Sequence, residues 1–370
     1  MAETTGGPVT LQAAENPARR FAANNLLAYA RDRVAAAQAV SKDHLIKRVF
    51  RLPRLDLTVW FASEALAAFC ESRLFQRRET SPALARAEIY VLDAGLAGWT
   101  PPEVWPEQAG FSSSSFEQSL AVGNLRGFYH HEGPSWQFFD PVQGVGIMTL
   151  SSALGIPPWE TGSPLRLFLH WAYAAAGLRL VHAATLGLGG EGVLISGASG
   201  SGKSGTTLAG FLNGLDTVGD DYVLIEDGAA PTAYPVFRLF KQDSNGLRRV
   251  GLDENATGNN LLNWHGKIEF DAADCLGKPL VDRMRIRAIF IPAIARLRRS
   301  RIEPADARSA ALSIAPSGVF QLPGDSASGL RFLAAVVRKL PAFRLMLSED
   351  PAEIADAIHS FLSKGHALAG

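Results

Sequence analysis

Gly197-Ala198-Ser199-Gly200-Ser201-Gly202-Lys203-Ser204 satisfies the pattern G-x-x-x-x-G-K-[ST] in full. Gly192-Val193-Leu194-Ile195-Ser196 runs ahead of it and reads as a short buried strand. Gly205-Thr206-Thr207-Leu208-Ala209-Gly210-Phe211-Leu212 follows and reads as the opening of a helix. Strand, glycine loop and helix are the context that gives the pattern physical meaning. Glycines let consecutive backbone N–H groups turn toward a phosphate chain, and the helix N-terminus adds positive partial charge. Residues 197–205 are therefore expected to hold a nucleoside triphosphate. Lys203 would reach its phosphates, and the Ser204 hydroxyl would ligate Mg²⁺.

Two segments flank the loop. Leu178 to Gly187 reads as a strand carrying one histidine, His182. Thr217-Val218-Gly219-Asp220-Asp221-Tyr222-Val223-Leu224-Ile225 places two acids between apolar runs. Adjacent carboxylates in a dry site are costly unless a metal or a cation shares them. That need fits phosphoryl transfer, where one acid helps hold Mg²⁺ and the other takes a hydroxyl proton. An exposed turn is the bland alternative for Gly219-Asp220-Asp221. His182 alone carries little weight.

The chain has 370 residues, 47% hydrophobic and 19% charged, so two domains are expected in a globular protein. Its 36 basic and 36 acidic side chains balance, which argues against a broad nucleic-acid surface. The basic run Arg296 to Arg301 is read as a solvated edge, with a patch for an acidic partner as the alternative. Cys70 and Cys275 have no metal-ligand spacing and read as free thiols. No apolar run reaches bilayer length, since Arg166, His170 and Arg179 interrupt residues 165–181. A cytoplasmic setting without membrane partner is expected.

Residues 1–15 read as disordered. A helix is expected over 17–40, with Phe21, Leu26, Leu27 and Ala30 on one face. Strands are expected over 56–61, 89–93, 125–131, 136–140 and 146–150, and a Ser63-capped helix over 64–75. Residues 99–118 read as loop or irregular segment. His130 and His131 point to opposite faces of a strand and so make a poor shared metal site. Pro and Gly punctuation sets a boundary near 160, followed by a helix over 165–177.

Val181-His182-Ala183-Ala184, the loop from Gly197 to Ser204, and Gly219-Asp220-Asp221-Tyr222-Val223 together resemble the catalytic domain of HPr kinase/phosphorylase. They are closer still to the HPr-kinase-like serine kinases of bacteria. The resemblance spans roughly residues 165–360, including the tail Lys339 to Leu345 and the helical segment after it. It implies an α/β fold: a P-loop kinase domain of the HPr kinase/PEP carboxykinase type over 161–370. A smaller N-terminal α+β domain over 1–160 would help select the acceptor. It further implies phosphoryl transfer from ATP, or another nucleoside triphosphate, with Mg²⁺. The acceptor would be a hydroxyl on a peptide, protein or small molecule, with serine preferred. One of Asp220 and Asp221 would be the base, with Asp220 preferred, and the other would join Ser204 in the metal and nucleotide shell; His182 would sit near the γ-phosphate or support the aspartates.

Two departures from the family stand out. Gly205 occupies the position where HPr kinases carry a glutamate. The glycine-rich stretch used by the HPr enzymes to grip HPr and to run phosphorolysis has no counterpart, so HPr is not the expected partner. Arg238 and Lys267 are candidate phosphate or acceptor contacts, ahead of Lys241 and His265. A nucleotide-binding regulatory module without transfer activity is the alternative, and a motion-coupled ATPase is a third. A homo-oligomer would be in keeping with the family.

Overall fold

The structure, a computed structural model, describes residues 17–78, 82–95, 113–130, 135–150, 156–258, 262–263, 265–319 and 321–364. The strands are β1 Ile46–Leu52, β2 Leu55–Phe61, β3 Ala85–Asp93, β4 Arg126–His130, β5 Ser135–Asp140, β6 Val145–Leu150, β7 Arg179–Val181, β8 Ala184–Leu188, β9 Glu191–Ile195, β10 Val223–Glu226, β11 Thr232–Pro235, β12 Leu239–Gln242, β13 Ile268–Asp271, β14 Met284–Leu297, β15 Arg301–Ala305 and β16 Ala342–Ser348. The helices are α1 Pro17–Ala39, α2 Glu64–Glu71, α3 Ser113–Ala121, α4 Arg166–Ala175, α5 Lys203–Leu212, α6 Ser244–Arg249, α7 Ala272–Leu276, α8 Ala307–Val319, α9 Ser326–Lys339 and α10 Pro351–Lys364.

The first half forms a six-stranded mixed sheet ordered β1-β2-β3-β6-β5-β4. Along β2 burial alternates with period two, so Leu55, Leu57, Val59 and Phe61 share the core face. Strand β6 is buried at every position because both of its faces are covered. Leu26, Ala30 and Val34 of α1, with Phe116 and Leu120 of α3, pack on one side. The apolar residues of α4 cover the other.

The second half builds an eight-stranded sheet along β15-β16-β14-β11-β10-β7, with β9 joined to β14 and β8 to β9. Parallel pairing of β9 with β14 and of β14 with β16 forms its centre. The 197–205 segment leaves the end of β9. A short β12–β13 ribbon lies apart from both large sheets.

The chain passes from the strands of one sheet to those of the other through the turn Pro158–Glu160. The largest apolar cluster nevertheless runs across it. Phe139 and Met148 from the first half pack in one cluster with Trp171, Leu224 and Phe237 from the second.

Several sequence expectations need correction. Part of the segment expected to be irregular is helix: α3 begins at Ser113, because Phe116 and Leu120 find buried places against β5 and β6. The remainder, 99–112, lies outside the described residues, as do residues 1–15 and His131. The helix expected over 64–75 stops at Glu71, since Leu74 turns out to bridge Phe237. Ser63 does cap it, accepting from the Leu66 N–H at 3.4 Å. The single strand expected over 178–187 is two strands, because β7 pairs with β10 while β8 pairs with β9. His182 sits in the break between them. Both cysteines are free, Cys70 buried and Cys275 half-buried.

Candidate active site

Strand β9 ends at Ile195, and the Ser196 N–H donates to the Phe290 carbonyl at 3.0 Å, fixing where the chain leaves the sheet. Gly200 (φ +76°) and Gly202 (φ +103°) adopt conformations that a side chain would strain. They turn the backbone into α5, whose first residue is Lys203. The lysine is 7% exposed and folds back over the loop. Its ammonium donates to the carbonyls of Gly197 at 2.7 Å and Ala198 at 3.1 Å. Burial lowers its pKa, while the charges of Asp220 and Asp221 pull the other way. Lys203 and the carboxylate doublet are therefore electrostatic neighbours. Ser204 and Gly205 follow on the first turn of the helix.

The doublet is held by β12. The Lys241 backbone N–H donates to Asp220 Oδ2 at 3.3 Å, and its ammonium meets Asp221 Oδ2 at 2.7 Å. His182 Nε2 completes the arrangement at 3.1 Å from Asp221 Oδ1. The His182 ring stacks on Tyr222, centroids 5.1 Å apart, and the Arg166 guanidinium lies 5.1 Å from the centre of the Tyr222 ring.

The two acids experience opposite fields. Asp220 is only 2% exposed, and burial, reinforced by the Asp221 charge, raises its pKa to about 6. The Ser204 hydroxyl acts on the same carboxylate in the opposite direction, yet Oδ1 is buried without a hydrogen-bond partner. Burial also works against charge on Asp221, but Lys241 and His182 overcome it and hold the carboxylate well below its ordinary range.

A cavity of about 1150 Å³ opens over these groups. Ser199, Gly200, Gly202, Lys203, Ser204 and Gly205 line it, as do His182, Asp221 and Lys241. Lys267 and His265 also reach it. Arg238 does not join them. It is bound to Asp271 at 2.7 Å and Asp274 at 3.4 Å, at the foot of α7. Arg238, expected as a phosphate or acceptor contact, is thus turned to α7, while Lys241 lies on Asp221. Their spacing on either side of Leu239 and Phe240 gives them different surroundings, and only the pairing of β12 with β13 reveals which faces the doublet. Arg166 and Gln242 also line the cavity without having been singled out, since neither belongs to a recognisable pattern.

Among the described residues, no group of three His, Cys, Asp or Glu side chains is placed to hold a metal ion. No described helix is long and apolar enough to cross a membrane. No family model and no curated protein matches the chain. Among solved structures it is similar to the Hpr(Ser) kinase/phosphatase from Coxiella burnetii, with 16% identity over 51% of this chain and 99% of that chain. The TM-score is 0.27, and a superposition this loose carries nothing about chemistry.

Proposed function

We propose that the chain is a phosphotransferase that moves the γ-phosphoryl group of a nucleoside triphosphate, ATP by preference, to a hydroxyl acceptor. One observation carries this reading: the glycine loop, its lysine and Asp221 line one cavity, with Asp220 buried beside them, its Oδ2 held by the Lys241 N–H. Among the described residues, five cations line that cavity, namely Arg166, Lys203, Lys241, Arg249 and Lys267. Glu117, Asp221 and Asp243 are the carboxylates on its wall, so the balance favours a polyanion.

The acceptor oxygen attacks the γ-phosphorus in line. A new O–P bond forms as the bond to the β–γ bridging oxygen breaks, and that electron pair leaves with the nucleoside diphosphate. The hydroxyl proton passes to a carboxylate. Asp220 suits this role, because its pKa near 6 lies close to working pH and one oxygen is unpartnered. Asp221 has both oxygens engaged and would give up His182 or Lys241 to bind a metal. Mg²⁺ commonly rests on one or two protein oxygens plus phosphates, so Ser204 with a doublet oxygen is an adequate protein share. Bound there, the ion would neutralise phosphate charge. Lys203 would exchange its two carbonyls for phosphate oxygens. The family resemblance alone would favour serine as the acceptor, whereas the cavity wall formed by Phe128, His130 and Trp159 favours a hydroxyl compound that carries a ring.

The test is transfer of labelled γ-phosphate to a panel of hydroxyl compounds and peptides. Asp220→Asn should lower transfer by about 10²- to 10⁴-fold while nucleotide binding persists. Wild-type protein that binds Mg-nucleotide but transfers to no acceptor would favour the regulatory-module reading. The Gly205 departure is the feature that points that way.

A further inference from the structure

The cavity over the glycine loop continues beyond the carboxylates to a wall from the first half of the chain, made by Phe116, Phe128, His130 and Trp159. Phe128 and His130 are two residues apart on β4 and so project from one face. Their rings are 4.3 Å apart at 61°, and His130 in turn lies 4.3 Å from Trp159 at 31°. The three rings form a continuous, half-buried surface. Trp159 is carried on a turn that is fixed from below. Glu160, 2% exposed, accepts from Gln137 Nε2 and from the Leu165 N–H, each at 3.0 Å. Arg166, the first residue of α4, lies against the Tyr222 ring and in the field of Asp221, and so connects this wall to the loop end.

Charge is unevenly shared along the cavity. The lysines and Asp221 lie at the loop end, and the other end offers the packed π faces of Phe128, His130 and Trp159 beside Glu117, Tyr129 and Gln321. A flat ring would stack.

We propose that this wall is the acceptor subsite and that it takes a hydroxyl compound bearing an aromatic ring. The acceptor role rests on the phosphotransferase reading above. The ring seats against Trp159 and His130, and its hydroxyl is directed past Arg166 toward the doublet.

The test uses the full chain labelled with 5-fluorotryptophan, the Trp159 resonance being assigned with Trp159→Phe. The probes are 4-hydroxybenzyl alcohol, N-acetyl-tyrosinamide and N-acetyl-serinamide, each added with and without a non-hydrolysable Mg-nucleotide analogue. Both ring compounds should shift the Trp159 signal saturably, and the serine compound should not. The tighter of the two ring compounds tells whether a peptide backbone is also read. Trp159→Ala should weaken ring binding by about tenfold, Trp159→Phe by less than about threefold, and neither should alter nucleotide affinity. Equal shifts from all three probes, or from none, overturn the proposal. Nucleotide binding without ring binding removes the subsite alone. Ring binding without nucleotide binding removes the phosphotransferase reading and the acceptor role with it, leaving only a ring site.

Discussion

Asp220 and Asp221 are adjacent in the chain and opposite in their effect on stability. Asp221 titrates below its unfolded value, so its contribution is present above about pH 4 and is lost as pH falls through the lower folded value. Asp220 titrates near 6, so its burial favours the neutral acid, and stability declines as pH rises from about 4 to 6. Asp220→Asn is therefore expected to stabilise the ligand-free protein at pH 7, by on the order of 2 kcal/mol, and to do little at pH 4. Thermal melts at the two pH values check this, and a lower melting temperature at pH 7 would contradict the assigned field. Lys241→Met should act in the other direction. It strands a partly buried carboxylate, at a cost of roughly 3 kcal/mol read by urea unfolding. Lys203→Ala should weaken nucleotide binding by about 10- to 100-fold, measured calorimetrically, with little change in fold.

At the scale of elements, the glycine loop and the start of α5 offer a paired comparison. A Cβ on Gly202 would sit 2.6 Å from Leu347 Cδ1, on a backbone that already has φ +103°. Gly202→Ala is expected to cost about 1–3 kcal/mol and most nucleotide affinity. At Gly205 a Cβ would meet only Gln242 Nε2, at an ordinary 3.6 Å. Gly205→Ala should then stabilise by about 0.5–1 kcal/mol through helix propensity, read in the same melts. These local features were legible in the sequence because loop, flanking strand and helix are contiguous. The doublet was legible for the same reason. What lay hidden depends on pairing between distant strands. Only the partners of β7 and β8 reveal that the chain breaks at His182, and only β12 against β13 turns Lys241 toward the acids and Arg238 away. Helix α3 was obscured by a serine run of low helix propensity, which burial of Phe116 and Leu120 overrides. The aromatic wall had no sequence signature, as β4 and the Trp159 turn lie far from the loop in the chain.

Across the whole molecule, the two sheets share one core through α4. Trp171 stacks with Phe139 at 6.3 Å, meets Phe168 edge-on at 5.6 Å, and donates to the Pro323 carbonyl at 2.7 Å. Glu117 of α3 reaches the start of α9, accepting from the N–H groups of Gly324 at 3.0 Å and Ser326 at 3.2 Å. Trp171→Ala is expected to cost about 3–5 kcal/mol and to lower both halves together in a single calorimetric transition. Two separated transitions would show that the halves are energetically independent. The position of Lys203, clasped by the carbonyls of Gly197 and Ala198, has a kinetic corollary. Its ammonium is already engaged, so on the proposed reading a triphosphate would have to exchange partner for partner, and entry would run slower than unhindered encounter. On the same reading, free orthophosphate would bring fewer oxygens to that exchange, so the clasped lysine would favour long phosphate chains over short ones.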